Sequence, residues 1–126
     1  MKQQNILSTF KNAIEGCGYF FRNERNGKIQ LVAAIITVGA GIWLKISGME
    51  WTILLLCITA VFSLEMLNSA IERVCDLVQP GFHPLVKVIK DVAAGAVLVA
   101  AIASVIVGAI VFVPKLIIML NGHGHI

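Results

Sequence analysis

The chain has 126 residues, of which 58% are apolar and 13% are charged, and its formal net charge is +3. The charged fraction is far below the ~25% of soluble proteins, which excludes an ordinary soluble protein and predicts a single membrane-embedded domain over residues 1–126. Cys17, Cys57 and Cys75 form no CxxC pair, which argues against a disulfide framework and against a thiolate metal site.

The first predicted element is an amphipathic helix over residues 6–21. Its apolar residues recur at steps of three and four, and polar residues such as Lys11 lie between them. Such a helix lies on the membrane surface or packs on its own protein, and the two arrangements are compatible. The aromatic residues at 19–21 favour a position at the membrane interface.

A dense polar cluster at residues 22–28 precedes the first apolar stretch. Its basic side chains suit anionic lipid head groups, but Glu24 does not. Glu72 should emerge from the membrane at a similar depth, and two carboxylates on different helices could share Mg²⁺, which accepts one or two protein carboxylates together with phosphate oxygens and water. The alternative is that Glu24 forms a salt bridge with Arg25 or Lys28.

Three long apolar stretches predict an all-α membrane protein with three transmembrane helices. The first span covers residues 29–46, and a tight turn at residues 47–50 returns the chain to the membrane. The second span covers residues 51–78. A link at residues 79–84 with two prolines and a glycine ends that helix, and the third span covers residues 90–113.

The second span carries four polar residues, which we call the polar stripe: Glu65, Asn68, Glu72 and Asp76. At about 100° per residue, the last three lie at roughly −60°, −20° and +20° relative to Glu65, so all four share one helix face. A charged group at membrane depth costs roughly 2.5 to 3.5 kcal/mol and normally marks a functional or paired site. The alternative is a row of interhelical hydrogen bonds that only stabilises a helix bundle.

The members of the polar stripe should lie at different depths. If Trp51 marks one interface, about 30 Å of hydrocarbon at about 1.5 Å per residue ends near Ile71. Glu65 then lies roughly 9 Å inside the boundary, Glu72 at the boundary and Asp76 in water. This arrangement suits a reaction between a membrane-held substrate and a water-soluble one.

Residues near the third span supply further candidates. Lys90 could hold a phosphate group as a point charge or extend to a lipid phosphate. His83, in the preceding link, could contact a ligand or merely cap a loop. His123 and His125 could bind a metal weakly, but a short Gly/His end is more typical of a disordered terminus.

Eight of the ten basic residues lie on one side of the predicted spans, and only Lys45 and Lys115 lie at the opposite ends. The positive-inside rule assigns the basic side to the cytoplasm. We therefore expect a multi-pass protein of the cell (inner) membrane, with its N-terminus and polar stripe in the cytoplasm and its C-terminus outside.

These motifs together resemble those of the prokaryotic diacylglycerol kinase family, which includes the undecaprenol kinases. The resemblance covers nearly the whole chain and rests on ExxNSAIExxxD at 65–76, KD at 90–91, ERN at 24–26 and FKxAxxG at 10–16. It implies a homotrimer, with active sites shared between subunits, that transfers the γ-phosphate of ATP to a lipid hydroxyl. The acceptor is diacylglycerol, which gives phosphatidic acid, or alternatively undecaprenol.

The resemblance also implies a role for each candidate residue. Glu65 matches the general base, and Asn68 matches an amide near the reacting hydroxyl. Glu24 and Glu72 match the ligands of Mg²⁺. The positions that match nucleotide-binding residues are Glu24, Glu72, Asp76, His83, Lys90 and Asp91.

Two other classes of function remain as alternatives. In a small proton-coupled transporter, Glu65 would carry the proton, although the carboxylates cluster at one membrane boundary. In a structural or regulatory subunit, the polar stripe would only bind a partner helix.

Overall fold

The structure, a computed structural model, describes residues 5–122. All regular secondary structure in this range is α-helical and consists of α1 (Ile6–Asn23), α2 (Arg25–Trp43), α3 (Gly48–Val78) and α4 (Pro84–Gly122). The last three helices are long and apolar enough to cross a membrane. The predicted all-α fold with three candidate spans is therefore confirmed, while His123 and His125 lie outside the described residues.

A single residue, Glu24, separates α1 from α2. Its backbone is extended, with φ −101° and ψ 123°, and its N–H donates to the carbonyl of Phe20. The Phe20 ring is buried against Gly27, where an added Cβ would lie 2.8 Å from the ring. Because one extended residue suffices to redirect the chain, the first span begins at Arg25 and not at residue 29 as predicted.

The first span also ends earlier than predicted. Lys45 adopts the left-handed conformation, with φ 52°, and the N–H of Ile46 donates to the carbonyl of Gly41 at 3.2 Å. This pattern satisfies a free carbonyl at the end of a helix. As a result α2 ends at Trp43, and residue 46, the predicted limit of the span, belongs to the turn.

A capping box starts α3. The Oγ atom of Ser47 accepts a hydrogen bond from the N–H of Glu50 at 3.2 Å, and the Glu50 carboxylate accepts one from the N–H of Ser47 at 3.0 Å. This reciprocal pair satisfies backbone donors that the first helical turn leaves free. The predicted tight turn at residues 47–50 is therefore wrong in its extent, because residues 48–50 already belong to α3.

α3 and α4 form the most extensive contact between helices. Near the turn between α2 and α3, a buried cluster joins Ile46, Leu54 and Val111. The side chain of Trp51 packs against this cluster. Apolar packing thus fixes the two long helices to each other at this end.

α4 extends beyond both ends of the predicted third span. It begins at Pro84, whose fixed φ angle suits the first turn of a helix, and continues past Pro114 to Gly122. An interior proline removes one backbone hydrogen bond, but such a loss is tolerated in membrane helices. The charge-free stretch at 92–113 therefore underestimated the length of this helix.

Most large apolar side chains of the single chain are exposed, and no large side chain among residues 5–122 is fully buried. The exposed set includes many isoleucine, leucine and valine residues of the three candidate spans. A helix with apolar residues around its circumference suits a membrane or the interior of an assembly.

Candidate functional site

The polar stripe passes from buried to exposed along α3. Glu65 is 3% exposed and Asn68 is 6% exposed, and these are the buried polar side chains among residues 5–122. Glu72 is half-buried and Asp76 is exposed. The order of exposure along the helix matches the order of depth expected from the sequence.

The amide group of Asn68 is only partly satisfied. Its Nδ2 atom donates a long hydrogen bond of 3.4 Å to Oε1 of Glu72. Its Oδ1 atom is buried and accepts no hydrogen bond from the described residues. An unpaired buried acceptor costs about 1–3 kcal/mol, so a ligand that supplies a donor here gains affinity.

The carboxylate of Glu65 takes part in none of the ion pairs formed within residues 5–122. It lies one turn before Asn68 on the same face of α3. A buried carboxylate without a cationic partner is costly in a protein that only needs to be stable. The pair Glu65 and Asn68 therefore has the character of a binding or catalytic site.

Glu24 contacts a residue that the sequence analysis did not select. The Nε atom of Arg73 donates to Oε1 of Glu24 at 3.1 Å, and its terminal NH2 group donates to the same oxygen. The expected alternative partners of Glu24, Arg25 and Lys28, were wrong. The contact spans 49 positions in sequence, so helical spacing gives no signal for it.

The contact with Arg73 brings Glu24 beside α3 at a position adjacent in sequence to Glu72. The guanidinium group also lies over the ring of Tyr19, 5.1 Å from its centroid. A small cleft of about 240 Å³ between α1 and α3 is lined by these groups together with Ser69. α1, the helix break and α3 thus converge at one point.

Two ion pairs occupy the opposite side of α3. The Nζ atom of Lys90 donates to Oδ1 of Asp76 and links α4 to the end of α3. The Nζ atom of Lys87 donates to Oδ2 of Asp91 at 2.6 Å within α4. Three of the predicted nucleotide-binding residues are therefore grouped at one end of this helix pair, where each already has a partner of opposite charge.

His83 makes a local contact in the link between α3 and α4. Its Nδ1 atom accepts a hydrogen bond from the N–H of Leu85 at 3.2 Å, at the first turn of α4. This contact is the loop-capping role that the sequence left open for His83. The exposed ring lies in the link that joins the polar end of α3 to α4.

The described residues fit a hard divalent cation better than a dedicated protein metal site. Within residues 5–122, no group of three His, Cys, Asp or Glu side chains is placed to hold a metal ion. Mg²⁺ needs only one or two protein carboxylates when phosphate oxygens and water complete its shell. Glu24 and Glu72 supply oxygen donors of this type on two different elements.

A larger cleft of about 460 Å³ lies between the three candidate spans. Its lining is mostly apolar and includes Val61, one helical turn before Glu65. The hydroxyl groups of Thr37 and Ser104 also line it, but both donate to carbonyls of their own helices. The cleft therefore offers an apolar surface that reaches the buried end of the polar stripe.

Comparison with known proteins gives consistent matches over most of the chain. The family described as prokaryotic diacylglycerol kinase matches residues 11–112. An undecaprenol kinase of Bacillus subtilis is 44% identical over 111 residues, which cover 88% of this chain and 90% of that protein. A diacylglycerol kinase of Synechocystis sp. is 40% identical over 114 residues, 90% of this chain and 65% of that protein. A diacylglycerol kinase of Escherichia coli is 31% identical over 109 residues, 81% of this chain and 89% of that protein.

Proposed function

Since the chain belongs to the prokaryotic diacylglycerol kinase family and is a multi-pass membrane lipid kinase, we propose that it transfers the γ-phosphate of ATP to the hydroxyl of diacylglycerol. The product is phosphatidic acid. The observation that carries the proposal is the buried pair Glu65 and Asn68, whose polar atoms lack partners at the end of an apolar cleft.

Glu65 acts as the general base. A carboxylate that is free of an ion pair can accept the proton of the lipid hydroxyl as the oxygen attacks phosphorus. Asn68 lies near the reacting hydroxyl, and its unpaired Oδ1 accepts a hydrogen bond that the described residues do not supply. The apolar cleft beside Val61 suits the acyl chains of the acceptor.

The charged groups around Asp76 bind the nucleotide. Lys90 exchanges Asp76 for the phosphates of ATP, while Asp76, Asp91 and His83 contact the rest of the nucleotide. Glu24 and Glu72 hold Mg²⁺, which supplies positive charge to the transferred phosphoryl group when it is bound. Phosphoryl transfer depends mainly on this kind of positioning and charge neutralisation.

The single lipid kinase domain, residues 1–126, lies in the cell (inner) membrane with the polar end of α3 in the cytoplasm. Its N-terminus is cytoplasmic, its C-terminus is outside, and α1 lies as an amphipathic helix on the membrane surface. Three chains form a homotrimer with shared active sites. The exposed apolar faces of the spans support an assembly, because one chain encloses few side chains by itself.

Undecaprenol is the second candidate acceptor, with undecaprenyl phosphate as product. The identity of 44% with an undecaprenol kinase over most of both chains favours it. The two acceptors share a primary chemical feature, a hydroxyl at the membrane surface, and differ in the length of the apolar part.

The test is purified protein in mixed micelles with Mg²⁺ and ATP labelled on the γ-phosphate. Diacylglycerol and undecaprenol are offered in parallel, and label extractable into the lipid phase is counted. We expect label in diacylglycerol, whereas label in undecaprenol alone supports the second candidate. Label in neither lipid, from protein shown to be folded, contradicts both assignments and leaves Mg-ATP binding to separate another acceptor from a non-catalytic role.

A further inference from the structure

Arg73 occupies the carboxylate that the proposed function gives to Mg²⁺. Both of its donors contact the same oxygen of Glu24, so the second oxygen receives no hydrogen bond from this guanidinium. The side chain of Glu24 is 22% exposed, while that of Arg73 is 54% exposed. The acid is therefore held in place, and the base can move into solvent.

Arg73 also has a second contact that does not depend on Glu24. Its guanidinium lies over the ring of Tyr19 on α1, in cation–π geometry. A guanidinium that leaves the carboxylate thus retains a favourable neighbour on the same side of α3. This feature makes the exchange of partners inexpensive.

We propose that Arg73 sets the metal affinity of the site by neutralising Glu24 in the metal-free protein and releasing it when Mg²⁺ arrives. The inference rests on the proposed function, because it takes Glu24 as a metal ligand. Mg²⁺ and a guanidinium are both cations, and Coulomb repulsion opposes their binding to one carboxylate. Arg73 therefore weakens metal binding and favours metal that arrives with the negative charge of the nucleotide.

The test measures binding of Mn²⁺, a paramagnetic substitute for Mg²⁺, to the full chain by electron paramagnetic resonance. A non-hydrolysable ATP analogue is present, so the readout does not need catalysis. Arg73→Gln removes the charge but keeps a hydrogen-bond donor, and we expect Mn²⁺ affinity to rise about two- to fivefold, the scale of a partly exposed ion pair. Arg73→Lys keeps the charge and should stay close to wild type.

The sign of the change separates this role from a merely structural one. A residue that only supports the helix break would weaken metal binding when it is replaced, so an unchanged or lower affinity in Arg73→Gln overturns the inference. In a Glu24→Gln background, Arg73→Gln should have no effect on Mn²⁺ affinity, and a persistent gain there also overturns it. A wild-type protein that phosphorylates lipid but binds Mn²⁺ independently of Glu24 refutes the inference while the kinase assignment stands.

Discussion

The two ends of the α3 and α4 pair solve opposite problems. At the turn end, Glu50 accepts from the Ser47 backbone and pairs with Lys115 at 3.0 Å, beside a buried apolar cluster. At the stripe end, Glu65 takes part in no ion pair within residues 5–122, and Asn68 keeps a buried oxygen without a donor. One helix pair thus has an end built for stability and an end whose polar groups are left available to ligands.

Glu65→Gln should have the largest effect of any change to this comparison. The amide cannot accept the hydroxyl proton, so we expect lipid phosphorylation to fall about 10²- to 10⁴-fold with the fold retained. The matched control is Glu50→Gln at the turn end, which removes a carboxylate from the same helix and should leave kcat unchanged. The labelled-lipid assay, with circular dichroism to check folding, measures both; full activity of Glu65→Gln would remove this residue as the base.

Asn68→Leu should separate stability from activity at the stripe end. Replacing a buried amide whose oxygen lacks a donor with an apolar side chain of similar volume should raise the free energy of unfolding by about 1–3 kcal/mol. We expect kcat to fall, because the contact with the reacting hydroxyl is lost. Unfolding by SDS in mixed micelles measures stability. A loss of stability in this variant would show that the amide is a structural hydrogen-bonding group.

Gly41→Ala should damage the turn end through packing alone. A Cβ there would lie 2.8 Å from the ring of Trp51 and 3.1 Å from Ile46, so we expect a loss of about 1–3 kcal/mol in the same SDS titration. Gly39→Ala is the control, since nothing lies within 4 Å of the added Cβ, and it should be neutral or stabilising. Equal effects of the two variants would contradict the close packing at Gly41.

Lys45→Gly should give the smallest change, a gain in stability at the turn end. Lys45 has φ 52°, a conformation that costs an L-residue about 1–2 kcal/mol and glycine very little. The greater freedom of glycine in the unfolded chain offsets part of this gain, which leaves about 0.5 kcal/mol. Lys45→Ala keeps the strain and should show no gain. A destabilised Lys45→Gly would mean that the lysine side chain itself contributes to the turn.

The sequence predicted those features that depend on local periodicity. A run of apolar residues identified the spans, and a spacing of three and four residues put Glu65, Asn68 and Glu72 on one face of α3. The length of α4 was underestimated, because a proline and a lysine after the charge-free stretch do not stop a membrane helix when its backbone remains otherwise bonded.

The features that the sequence did not predict depend on contacts between helices. The pair of Glu24 with Arg73 joins residues 49 positions apart, and the pair of Lys90 with Asp76 depends on how the link folds α4 back on α3. Neither follows from the spacing within one helix. The capping box at Ser47 and Glu50, in contrast, has a local SxxE signature and could have been found.

The junction at Glu24 has a consequence for how such a chain can change in evolution. A single inserted residue would turn everything that follows by about 100° relative to α1. That rotation would move Gly27 away from Phe20 and separate the Glu24 carboxylate from Arg73. Side chains at this junction can be exchanged one at a time, whereas a change of length must be compensated by a second insertion or deletion elsewhere.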